Sequence, residues 1–189
     1  MDFLYGSEFH QKFITNVGLI TSDGPNGPNI MAAEWTYLTS YSPAIIVVSI
    51  GPSKATAENI TKTKIFGVSL TAENQNWIAS LAGGSSGHQI DKVAALKELG
   101  VKFEKGKKLD VQLVEGSALH AECKLIEIVQ HGDHHLFIGE VVAASVTDNK
   151  PLAYHQNKYW KIDTLIEKPS DEKRAHMKKI VEQNAKEKK

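Results

Sequence analysis

The feature that most constrains the fold is the run Ile45-Ile46-Val47-Val48-Ser49-Ile50, with Pro43 before it and Gly51-Pro52 after it. A short β-branched run between turn formers predicts a buried strand, because branched side chains pack well on a pleated surface and Pro and Gly interrupt it. At its exit the chain turns polar, with Ser53, Lys54 and Thr56, and Ala57-Glu58-Asn59-Ile60 then begins a helical pattern over Thr56 to Lys64. Two hydroxyls and a lysine at a helix start have the chemistry of a phosphate cradle. The helix end supplies free N–H groups and the positive end of its dipole, lysine a point charge, and hydroxyls short hydrogen bonds. The same residues also read as an ordinary N-cap, and the sequence leaves both readings open.

The remaining chain supplies many strands and few helices. Asn16 to Ser22 predicts a first strand, Asp23-Gly24-Pro25-Asn26-Gly27-Pro28 a hairpin turn, and Asn29 to Tyr41 the return. Ile65 to Leu70 predicts another strand, in which Gly67 marks a bulge or a close approach. Thr71 to Ala82 has helical character, with Thr71 as its cap and Asn74 as a weak capping-box partner. Gly83 to His88 reads as a loop, and Asp91 to Leu99 as a helix stopped by Gly100. Val111 to Val114, Ala118 to Gln130 and Leu136 to Thr147 are later strands, with a hairpin turn at His131-Gly132-Asp133, and Pro151 to Ile162 closes the unit. Strict strand–helix alternation is missing, so an antiparallel barrel, mainly β with short helices, is expected rather than a doubly wound sheet. The expected division is a barrel domain over 1–167 and a basic helical tail over 168–189, where Met177, Ile180 and Val181 recur at helical spacing.

Charge and cysteine usage exclude some functions. Net charge is zero over 189 residues, which speaks against nucleic acid or a membrane surface as the partner of the whole chain. The balance is uneven: from Lys168 onward eight Lys and Arg face four Asp and Glu, which leaves 14 basic and 18 acidic residues in the body. Cys123 is the one cysteine, so no intrachain disulfide forms, in keeping with a reducing cytoplasm. Neither a membrane-length apolar stretch nor a signal peptide is read from the sequence.

Several pieces together resemble the flavin reductase-like, FMN-binding split-barrel family of the flavoredoxin type. They are Asn29, Met31, Ala33, Trp35 and Pro43, the exit Ser49-Ile50-Gly51-Pro52-Ser53, and a later segment from Gly132-Asp133-His134 to Val141. The resemblance spans roughly residues 10 to 162. It implies an antiparallel split barrel, bound FMN (with FAD as an option), NAD(P)H as a transient co-substrate and a homodimer. By that resemblance Ser49, Ser53, Lys54 and Thr56 meet the flavin and its phosphate, with Lys54 standing where arginine is common. Ala32, Ala33, Glu34, Trp35 and Thr36 run along the ring, Ser85 and Ser86 are further phosphate or ribityl contacts, and His134 lies beside the flavin and nicotinamide.

From residue type alone each of these has a plainer reading. Ala32-Ala33 packs a core, Gly83 to Gly87 is a flexible connector, and His134 is an exposed hairpin histidine. Where family members carry Thr-Ala-Ser, this chain has Ala-Ala-Glu. A carboxylate facing a reduced flavin would repel it, so Glu34 is expected to point to solvent or to a partner subunit. His134 and His135 are adjacent and would point to opposite faces of a strand, so no metal site is read there. Cys123 reads as a small buried hydrophobe. Nucleophile-elbow, Walker and Rossmann fingerprints do not occur, so NAD(P)H would have no nucleotide domain of its own. Three functions remain: a reductase passing electrons from NAD(P)H to free flavin or a redox partner protein, a flavoredoxin-like electron carrier that keeps its FMN, and a module that holds flavin or haem without turnover.

Overall fold

The computed structural model describes residues 1–185. Its centre is one curled antiparallel sheet of seven strands in the order β2-β1-β5-β8-β9-β4-β3. These are β1 Gly18–Ser22, β2 Asn29–Ala33, β3 Thr36–Tyr41, β4 Ala44–Ile50, β5 Ile65–Leu70, β8 Leu119–His131 and β9 His134–Val146. Two short ribbons pair β6 Phe103–Lys105 with β7 Gln112–Val114, and β10 Ala153–His155 with β11 Lys158–Trp160. The helices are α1 Ala55–Thr63, α2 Asn76–Gly84, α3 Lys92–Glu98 and α4 Asp171–Gln183.

The predicted return strand from Asn29 to Tyr41 is two strands. β2 ends at Ala33, Glu34 and Trp35 cross a gap, and β3 begins at Thr36 on the opposite edge of the sheet. The sheet must therefore curl until its edges meet. They meet at Gly18, where a Cβ would lie 2.5 Å from Thr36 Oγ1, so only glycine permits the approach. The Thr36 hydroxyl donates to the Ala33 carbonyl, and Ser49 N–H donates to the Trp35 carbonyl at 2.9 Å, which fastens the crossing.

Side-chain alternation builds two cores. β1 is buried throughout because α2 and α3 cover its outer face: Ile20 joins Val48, Ile60, Phe66, Val68 and Phe137 inside the curl, while Leu19 joins Ile30, Ile78, Leu96 and Val114 beneath the helices. β4 is not buried on both faces as its apolar run predicts. Ile46, Val48 and Ile50 are buried and Ile45, Val47 and Ser49 only partly so, the alternation of an antiparallel strand with one face on the core. Gly67 marks a close approach: a Cβ there would lie 2.6 Å from the Gln112 carbonyl oxygen.

Several predicted ends move. α2 starts at Asn76 rather than Thr71 and runs on through Gly84, and Thr71 is buried with its hydroxyl donating to the Val17 carbonyl. The β8–β9 hairpin turns at Gly132 and Asp133, with Gly132 at φ +57°. β6 carries no signal a sequence reader would use; it forms because β7 pairs with it. α4 is capped by Ser170, whose hydroxyl accepts from Lys173 N–H, and it buries no side chain.

Candidate functional site

A cavity of about 940 Å³ opens where β2, β4, α1 and α2 converge, closed on one side by the N-terminal residues. Its floor is apolar: Val17, Met31, Ala32, Ala33, Trp35, Ile50 and Ala79. Ala32 sits so near α2 that a Cβ on Gly83 would lie 3.3 Å from its methyl. Strand and helix therefore touch there, and the small residues Ala32, Ala33, Ala79, Gly83 and Gly84 leave a low wall along the cavity. β2 pairs only with β1, so the N–H and C=O groups on its other edge remain open to a ligand.

The α1 side of the cavity is cationic. Lys54 occupies the N-cap of α1 in extended conformation and makes no side-chain cap, so the cap reading of this stretch fails and no side chain caps the first-turn N–H groups. Thr56, in that first turn, is buried, and its hydroxyl accepts from the Asn29 amide at 2.7 Å. Ser53 is exposed beside Lys54, and its carbonyl lies 3.1 Å from His88 Nε2. The other His88 ring nitrogen is 3.1 Å from Asn26 Oδ1, so this ring ties the 85–88 loop to the α1 entrance.

Beneath that loop lies Lys92, 2% exposed, with Nζ donating to the carbonyls of Ala82 and Ser85 at 2.9 and 3.2 Å. Burial first, and the charge of Lys54 second, lower its ammonium to about 8. Neither His88 nor Lys92 stands out in the sequence, because each depends on a fold-level neighbour. An anion-binding role for the loop was read from Ser85 and Ser86 instead. Both are exposed and off the cavity wall; Ser85 offers its carbonyl to Lys92, and the Ser86 hydroxyl accepts from His88 N–H at 3.3 Å.

The opposite side is aromatic and acidic. Tyr5, Tyr37, Tyr154 and Tyr159 line it, with the Tyr5 and Tyr154 hydroxyls 3.2 Å apart. Trp35 meets the His134 ring edge-on at 4.9 Å between centroids, and His134 Nδ1 is 2.8 Å from Asp133 Oδ1. Of the two directions expected for Glu34, the structure excludes open solvent: Glu34 lines the cavity, with Oε1 3.1 Å from His10 Nε2. Its charge shares in raising the Tyr37 and Tyr154 hydroxyls, in which burial is the larger cause.

Of the residues named from the sequence, Ala32, Ala33, Glu34, Trp35, Ser49, Lys54 and His134 line the one cavity, whereas Thr36, Ser53, Thr56, Ser85 and Ser86 do not. Cys123 is fully buried in β8, and burial pushes its thiol up to about 12. No group of three His, Cys, Asp or Glu able to hold a metal occurs among the described residues. None of the described helices is long and apolar enough to cross a membrane.

The family model described as "Flavin reductase like domain" matches residues 10–163. The chain belongs to this family. An uncharacterized protein of Pyrococcus abyssi is 30% identical over 128 residues, covering 66% of this chain and 70% of its own length. An NADH-dependent flavin reductase of a Rhodococcus species is 24% identical over 157 residues, covering 82% and 83%. Among solved structures, the flavoredoxin of Desulfovibrio vulgaris superposes with a TM-score of 0.74 at 24% identity, over 90% of this chain and 98% of that one. This flavin reductase-like chain spans from 49% to 70% of the lengths of three archaeal relatives.

Proposed function

We propose that the protein is an NAD(P)H-dependent flavin reductase that binds FMN in the β2–α1–α2 cavity. The observation that carries this reading is the conjunction, in one cavity, of a helix N-terminus without a side-chain cap beside Lys54 and an apolar wall of small residues, Ala32, Ala33 and Ala79, on β2 and α2. A flavin fits such a lining: phosphate at the α1 end, ring against the wall of small residues, ring polar edge on the open side of β2. The similarity to an NADH-dependent flavin reductase over 82% of the chain supports it.

Lys54 and the first turn of α1 would hold the phosphate, with Lys92 and His88 fixing the 85–88 loop beside that end of the cavity. Ala32 and Ala33 would seat the ring, and Trp35, braced by His134, would form a wall of the nicotinamide approach. When bound, the flavin supplies the hydride acceptor, so no protein acid or base is needed for that transfer. The acceptor of the electrons is free flavin or a redox partner. A homodimer fits the open outer edge of β3 and the exposed Phe3, Phe13, Ile14 and Tyr41.

Purification without added cofactor, a visible spectrum, and anaerobic addition of NADH and NADPH in turn test the reading. Flavin bands that bleach rapidly with a nicotinamide nucleotide are expected, with FMN binding more tightly than FAD. A second reading, an electron carrier that keeps its FMN, rests on the likeness to a flavoredoxin. It predicts bands that bleach with dithionite but with neither nucleotide. A protein that binds no flavin at all would overturn both.

A further inference from the structure

The cavity holds a charge that the rest of the site does not neutralise. Glu34 lines it, and both Glu34 and its partner His10 are largely withdrawn from water, with side chains 19% and 16% exposed. His10 does not cancel the carboxylate. Gly6 N–H donates to His10 Nδ1 at 3.2 Å, so that nitrogen is an acceptor and carries no proton. The ring is then the neutral tautomer with its proton on Nε2, donated to Glu34 Oε1. Among the described residues no lysine or arginine pairs with Glu34. Its neighbours Tyr37 and Tyr154 both have hydroxyls held in the protonated form, for which burial is the first cause and the field of Glu34 a further one. The other end of the cavity, at Lys54, is positive. One end is therefore built to attract an anionic phosphate and the other to repel an anion.

Resting on the reductase reading, we propose that Glu34, held by neutral His10, discriminates between the redox states of the flavin and drives the reduced form out. Charge balance gives the reason. Transfer of H⁻ from NADH to neutral oxidised FMN yields NAD⁺ and a flavin ring carrying one more hydrogen and one negative charge. A fixed carboxylate in the same cavity raises the free energy of the ring after this step and not before it. The phosphate contacts at Lys54 and α1 are the same in both states, so they set overall affinity while Glu34 sets the ratio. The device suits a protein whose product is diffusible reduced flavin and works against an electron carrier that retains it.

The test is equilibrium binding of FMN, oxidised and anaerobically reduced, to the wild-type protein, Glu34→Gln and His10→Ala. Wild type is expected to bind oxidised FMN at least about tenfold more tightly than reduced FMN, the effect of one like charge ~12 Å away at an effective dielectric of ~20. For a two-electron couple this is a bound potential about 30 mV below that of free FMN. Glu34→Gln keeps an oxygen for His10 Nε2–H and removes the charge, so the two affinities should converge. His10→Ala leaves the charge in place, so the gap should persist or widen. FMN that binds with a gap unaltered by Glu34→Gln overturns the inference and leaves the reductase reading standing. FMN that binds in neither state overturns both.

Discussion

Glu122 and Glu34 are both withdrawn from water, and they meet opposite surroundings. Glu122 on β8 is 3% exposed and accepts the backbone N–H groups of Lys107, Lys108 and Leu109 at 2.6, 2.8 and 2.6 Å. Burial alone would push its carboxyl up, but those N–H groups, Leu109 first, hold it below the ordinary value. Glu34 faces a cavity and has one neutral ring donor. A carboxylate whose lone pairs are satisfied by backbone serves the fold: it pins the 106–110 turn to the sheet. A carboxylate left under-satisfied beside a cavity is available to act on whatever enters.

The largest effect expected from this contrast is on stability. Glu122→Ala removes the shared acceptor of three part-buried N–H donors and should cost about 3 kcal/mol in urea unfolding, with FMN affinity of the folded protein unchanged. A loss below about 1 kcal/mol would erase the distinction between the two sites. The pH dependence follows the same logic. Because the folded carboxyl is depressed, its contribution is present above the unfolded value of 4.5 and is lost as pH falls through the lower folded value. Glu122→Gln should flatten that acid limb.

Next in size is the cationic end. Lys54→Ala should weaken FMN binding by roughly 1.5–3 kcal/mol in calorimetric titration, with unfolding unchanged to about 0.5 kcal/mol. An unchanged affinity would remove Lys54 from the site. Lys92 should show as a slope. Its folded ammonium titrates at about 8 against 10.5 unfolded, so between these values the unfolded chain binds more protons and stability rises with pH. Lys92→Met should abolish that rise, as read by unfolding at pH 7.5, 9 and 10. The smallest change expected is Glu34→Ala, about 1 kcal/mol or less on unfolding, because Glu34 gives the fold a single hydrogen bond, from His10. A larger loss would make Glu34 a structural residue like Glu122.

What the sequence revealed and what it hid divide along physical lines. Patterns written into neighbouring residues survived: the β-branched run of β4, the hairpin at Gly132-Asp133, the close approach at Gly67 and the inert Cys123. Thr71 as a helix cap did not survive, because its hydroxyl is taken by Val17, 54 residues earlier. The break at Glu34-Trp35 was hidden because both flanks have strand composition and nothing local shows that they join opposite sheet edges. His10, His88 and Lys92 were missed for a related reason. Each meets its decisive side-chain or carbonyl partner on another element, as His10 meets Glu34, His88 meets Ser53 and Lys92 meets Ala82, which a local pattern does not display. The inward turn of Glu34 is likewise set by His10, on a segment with no regular signature beyond one short 3₁₀ turn.

The two-residue crossing at Glu34-Trp35 limits how the cavity exchanges its contents. An extended residue reaches at most ~3.5 Å, so the three steps from Ala33 to Thr36 tether the sheet edges within ~10 Å, pinned further by Trp35 against Ser49 and Thr36 against Gly18. The barrel does not gape at this seam, and a molecule as broad as a tricyclic ring must pass over residues 3–13 or beside Gly83-Gly84. Loading and unloading are thereby assigned to peripheral segments, so exchange rates can be retuned by substitutions there while the thermal endurance of the barrel stays as it is.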